Sequence, residues 1–174
     1  MATDLTGQFS LGEQVDRQFQ AHDETHSNKG QERVNVEVLK SIYAAIQTMV
    51  EQRNSEAGVA ELCELFQSTH HPDVEYHWPG PDRIPFSGVL RGREAVLSRI
   101  IENFRMVTPQ QTRIVSVVAQ GDEAIVTLEE NGLFHAPDGT DVRYSGIFSQ
   151  YHKFSDGQVV LMRFLGDNES VFND

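Results

Sequence analysis

The chain has 174 residues, enough for one sizeable core and short for two. With 39% hydrophobic and 23% charged residues, it has the composition of an ordinary globular protein. Against 26 acidic residues stand only 14 basic ones, a net charge of −12 that argues against phosphate-backbone binding and against an anionic membrane surface.

Residues 1–33 are polar, rich in Gln, Asp, Glu and His, and end in the turn-prone run HSNKGQER. Phe9, Leu11, Val15 and Phe19 are spaced to form one stripe on a short helix, so this extension reads either as weakly ordered or as a docking arm. From Asn35 the periodicity sharpens. Val38, Leu39, Ile42, Ala45, Ile46, Met49 and Val50 predict a helix over about 35–53, with Asn35 as its cap. Ser55 is the expected N-cap of a second helix through Gln67, with Val59, Leu62, Cys63, Leu65 and Phe66 inward. Cys63 is the one cysteine, which excludes an internal disulfide and fits a reducing compartment; its setting reads as core rather than nucleophile.

Next comes DVEYHWPGPDRIPFSGVLRGRE, from Asp73 to Glu94: a strand with Val74, Tyr76 and Trp78 on one face, then a Pro/Gly loop. Half-polar rings beside such a loop read as a pocket wall or as plain core. His70, His71 and His77 resemble a metal cluster only superficially; two are adjacent and His77 points away from Tyr76 and Trp78, so a solvated loop is expected and no metal site. Asp82, Arg83 and Arg91 belong to the same mouth loop. A third helix is predicted from about Gly92 to Phe104, closed by Pro109. The remainder is strand: RIVSVVAQ, EAIVTLEENGLFH, VRYSGIFSQYHKF and QVVLMRFLG, divided by the turns Gly121-Asp122, Pro137-Asp138-Gly139 and Ser155-Asp156-Gly157. Helices first and a meander afterwards is an α+β layout with helices on one face of a curved antiparallel sheet. No run is long and apolar enough for a membrane span and no signal pattern opens the chain, so a cytoplasmic protein is expected.

This order, with VEYHWPGP…IPFSGVLRGREAV and the closing hairpin HKFSDGQVVLMRFLGD, resembles the nuclear transport factor 2-like superfamily, and within it the SnoaL-like and ketosteroid isomerase-like proteins. The resemblance covers about 35–167 and implies a cone-shaped barrel, a domain over 34–174, and a homodimer pairing through the outer sheet face. Apolar neighbours on both faces, Ile147 beside Phe148 and Val159 beside Val160, agree with such pairing. The superfamily hosts isomerases, hydrolases, dehydratases, cyclases, binders and adaptors, so the fold alone does not name an activity. Laid onto this chain, the isomerases' helix Tyr falls at Tyr43, their Asp base at Trp78 and their protonated Asp at Gln150. The limonene epoxide hydrolases' Arg and two Asp fall at Glu130, Gly132 and Phe164, none of them kept, which excludes that mechanism.

Strand parity then defines a candidate site. If Val126 and Leu128 point into the cone, so does Glu130, and Phe148, Gln150 and His152 share the face beside it. A one-residue slip would turn Glu129 inward instead. The expected substrate-binding set is Tyr43, Tyr76, Trp78, Phe86, Phe104, Phe148, Gln150, Met162 and Phe164, with Glu130 as general base and His152 as general acid or, alternatively, a core histidine. The function expected is a cofactor-free isomerase, cyclase or dehydratase acting on a hydrophobic oxygen-bearing molecule. The alternatives are a non-catalytic binding module and a structural dimerisation domain.

Overall fold

The computed structural model describes residues 29–52, 55–80, 87–107, 111–135 and 139–166. In chain order these form α1 (Lys29–Glu51), α2 (Glu56–Thr69), β1 (His70–Trp78), β2 (Gly88–Arg91), α3 (Arg93–Arg105), β3 (Gln111–Gln120), β4 (Glu123–His135), β5 (Asp141–Ser155) and β6 (Gln158–Leu165). The strands make one sheet in the order β2-β1-β6-β5-β4-β3. It is curved but unclosed, and the helices pack on its concave side, an α+β cone. The stripe Phe9 to Phe19, the loop residues Asp82, Arg83 and Phe86, Pro109 and the turn residues Pro137 and Asp138 lie outside the described residues.

The sheet is not wholly antiparallel. β1 runs parallel to β6, with Tyr76 opposite Met162, while every other pairing is antiparallel. No short turn joins β1 to β6, so no hairpin dictates their relative direction. Between β5 and β6, Asp156 (φ 50°) and Gly157 (φ 78°) form the two-residue, left-handed turn that matches strand twist. It pairs Ser155 with Gln158.

α1 begins at Lys29, six residues ahead of Asn35, and Asn35 caps nothing. It is fully buried inside the helix; its Nδ2 donates to Gly121 O (3.2 Å) and its Oδ1 accepts from Gln31 Nε2 (2.9 Å). One turn earlier Glu32 Oε1 accepts from Gly121 N at 2.8 Å. The start of the helix is polar because it satisfies both backbone groups of Gly121 in the β3–β4 turn. Beyond it Leu39, Ile42, Ile46 and Met49 form the stripe that enters the core.

Ser55 does cap α2, its Oγ accepting from Gly58 N at 3.2 Å. The far end of α2 runs straight into β1, which corrects the reading of His70 as part of a solvated loop. His70 is completely buried, its ring stacked on Phe66 at 3.4 Å between centroids. Arg93, at the start of α3, donates to Gln67 O (2.6 Å) and His70 O (3.0 Å), tying the two helices together. Cys63 is half-buried against the core and unoxidised. None of the described helices is long and apolar enough to cross a membrane.

Candidate functional site

At the narrow end of the cone Leu39, Leu62, Val74, Val96, Val126, Phe154 and Val159 fill the interior. Toward the wide end the same strands carry rings instead, and the space between them stays open. Counted out through its mouth, this cavity is about 950 Å³. Trp78 lies flat on Phe164 (centroids 4.2 Å apart, 8° between planes), Tyr76 meets Trp78 edge-on at 5.9 Å, and Phe148 leans on Phe164 at 5.5 Å. A Cβ on Gly146 would come within 3.2 Å of the Phe148 ring, so the missing side chain there gives the ring its place.

Two strands set the polar groups. On β4, Val126 and Leu128 are buried and Glu130 lines the cavity two residues further on. Glu129 faces outward and pairs with Arg113 (Nε to Oε2, 2.9 Å). Glu130 sits opposite Thr112 and Gly146, and the Thr112 hydroxyl donates to it at 3.5 Å, a long and weak contact. Burial with so little compensation pushes its carboxyl up to about 7. Its charge in turn raises the phenols of Tyr43, Tyr76 and Tyr144, already raised by burial.

On β5, Gln150 lines the cavity while His152 lies behind it, wholly buried. Tyr43, from α1, joins the two: its hydroxyl donates to Gln150 Oε1 at 2.9 Å and stands 3.3 Å from His152 Nε2. With the phenol proton given to Gln150, His152 must carry its own proton on Nε2 to complete the second bond. Burial lowers the imidazole to about 3, so the ring is neutral at physiological pH. His70 is lowered to about 3 as well, chiefly by burial and further by repulsion from His152.

Of the residues expected from the sequence, Tyr43, Tyr76, Trp78, Phe104, Glu130, Phe148, Gln150, Met162 and Phe164 line one cavity. His152 touches it only through Tyr43, and Phe86 is outside the described residues. Sequence reasoning missed Asn103, Thr112 and Tyr144, which also line it. Tyr144 was accessible by parity, four residues before Phe148; Asn103 follows Ile100 by one helical turn. Thr112 carries no signal until β3 is paired with Glu130. Among the described residues no group of three His, Cys, Asp or Glu side chains is placed to hold a metal.

An α+β cone with a ring-lined cavity at its wide end defines the class. Residues 56–162 match the model of the SnoaL-like domain, and the chain belongs to that family. In fold it is similar to a protein from Jannaschia sp. CCS1 named as a SnoaL-like polyketide cyclase (TM-score 0.62, 15% identity, covering 86% of this chain and 99% of that one). It is also similar to an NTF2-like protein of unknown function from Burkholderia pseudomallei K96243 (0.60, 15%, 81% and 98%). A third similar structure is TerC co-crystallised with polyporic acid (0.59, 18%, 81% and 99%). No curated protein matches the sequence.

Proposed function

We propose that the cavity binds a hydrophobic, oxygen-bearing molecule of polyketide, terpenoid or steroid size and that Glu130 acts on it as a general base. The reaction is of the isomerisation, cyclisation or dehydration type. The observation that carries this is a carboxyl group set in an apolar cavity with a pKa near 7, poised to exchange a proton at working pH. Glu130 takes a proton from the carbon next to a ligand carbonyl. The negative charge that develops on the carbonyl oxygen is met by the Gln150 amide N–H, which is left for a ligand because the amide oxygen is the end engaged by Tyr43. Glu130 then holds the proton and returns it. His152, neutral and behind the cavity wall, suits the orienting of Tyr43 better than the delivery of a proton.

A binding module without turnover is the rival reading, favoured by the extent of the Trp78–Phe164 wall. The open cavity weighs against a purely structural domain. The named relatives support a small-molecule site by analogy of fold alone. Exchange of the protons next to the carbonyl of 1-tetralone in heavy water, followed by NMR, separates the two readings. The wild type should accelerate exchange and Glu130→Gln should not; equal rates in both would leave only the binding module.

We also propose a homodimer through the outer sheet face. Ile147 (70% exposed) and Val118 (62%) stand there with Ile125 and Leu165, apolar residues that a second copy would cover. Light scattering at micromolar concentration should give twice the chain mass; a monomer mass would refute it.

A further inference from the structure

Asn103 stands on α3 between Ile100 and Phe104, and all three line the cavity. Its main-chain carbonyl helps close the helix, accepting from Met106 N at 3.1 Å. Its side-chain Oδ1 is buried from solvent and meets no donor among the described residues. An amide oxygen shielded from water and left without a donor is uncommon in folded proteins, and in a ligand cavity it marks a place for a hydrogen supplied from outside the chain. The segment after it is held firmly. Met106 O accepts from His135 N at 2.7 Å and Val107 bridges to Phe134, so α3 cannot easily swing to find another partner.

The polar groups of the cavity therefore come from two walls. The sheet contributes Glu130, Thr112 and Gln150, which suit a carbonyl and the acidic carbon beside it. The helix contributes Asn103, whose Oδ1 meets no donor among the described residues. We infer that Asn103 is a specificity-determining residue whose Oδ1 accepts a hydrogen bond from a hydroxyl on the bound molecule, at the edge remote from the carbonyl served by the sheet. The ligand class this selects is a hydroxylated cyclic ketone, aromatic or alicyclic. A plain ketone leaves Oδ1 without its hydrogen, and an ether brings a second lone pair against it. This rests on the cavity's being a ligand site, and not on turnover.

The test uses 6-hydroxy-1-tetralone and its 6-methoxy counterpart, which differ in the one hydrogen at issue. Trp78 is the single tryptophan of the chain and lines the cavity, so its fluorescence reports binding there directly. The wild type should bind the hydroxy ketone about two- to tenfold more tightly, the range of one net hydrogen bond. Asn103→Leu should bind both compounds alike, and Asn103→Asp, which keeps an acceptor, should retain the preference. If Asn103→Leu does not fold, Asn103→Ala carries the same comparison. Equal binding by the wild type, a preference that survives in Asn103→Leu, or binding of neither compound overturns the inference. Equal proton exchange by the wild type and Glu130→Gln, with the hydroxyl preference intact, would retire Glu130 as base and leave Asn103 in place. The reverse result would retire Asn103 alone.

Discussion

The two ends of the cone are built from the same strands and behave differently. On β5, Phe154 and His152 are packed solid at the narrow end, whereas Gln150, Phe148 and Tyr144 surround space at the wide end. On β4, Val126 and Leu128 give way in the same manner to Glu130. The alternation of faces is unbroken along both strands; what changes is the kind of side chain. At the narrow end aliphatic side chains interdigitate around Phe154 and His152 and leave no space. Flat rings such as Trp78 and Phe164 stack on one another instead and prop the wide end open. A molecule built this way keeps its packed core at one end and its open cavity at the other.

Glu130→Gln strikes the open end hardest. Proton exchange on a ketone should fall about a hundred- to ten-thousand-fold, the usual worth of a general base. The same variant should be more stable than the wild type near pH 8. A carboxyl whose folded pKa is raised from 4.5 to about 7 weighs against folding as pH rises through that window, because the unfolded chain ionises first. A thermal melt of both proteins at that pH checks the sign.

At the closed end Phe154→Ala should cost about 3–5 kcal/mol in urea unfolding, since its neighbours cannot collapse into the hole. Phe148→Ala, whose ring already faces open space, should cost clearly less. Equal costs would erase the distinction between the two ends.

The buried histidines sharpen the comparison through pH. Both are lowered from 6.5 to about 3, so the unfolded chain takes up protons that the folded chain refuses. The histidines' contribution to stability is therefore whole above about pH 6.5 and is lost as pH falls toward 3. His152→Gln should flatten that decline; denaturant midpoints collected across the window would show it, and an unchanged slope would mean His152 titrates normally.

The smallest effect belongs to the start of α1. Deleting residues 1–28 should change unfolding by well under 1 kcal/mol if this polar stretch is weakly ordered, since the apolar spacing of the core begins after Asn35. It should cost clearly more if the Phe9–Phe19 stripe is a docking arm. Deleting 1–33 also removes Glu32 from Gly121 N and should cost about 1–3 kcal/mol. Comparing the two truncations by melting temperature checks whether the extra residues matter.

Much of this architecture was legible before any coordinates. Leu39, Ile42, Ile46 and Met49 announce α1 by their spacing, Ser55 announces α2, and Asp156-Gly157 announces the last hairpin. Strand parity put Glu130 on the same face as Val126 and Leu128, since a period of two is carried by neighbouring residues. Other features depended on elements far apart in the chain. Asn35 reads as a cap until Gly121, 86 residues away, is brought against it. His70 reads as loop until β1 is seen to begin with no gap after α2. Whether β1 meets β6 in parallel, whether His152 reaches the cavity or stands behind Tyr43, and whether the Asn103 oxygen finds a donor are likewise settled by packing. Periodicity states which way a side chain points relative to its own element. What it meets there is decided only when helix and sheet close around a common space.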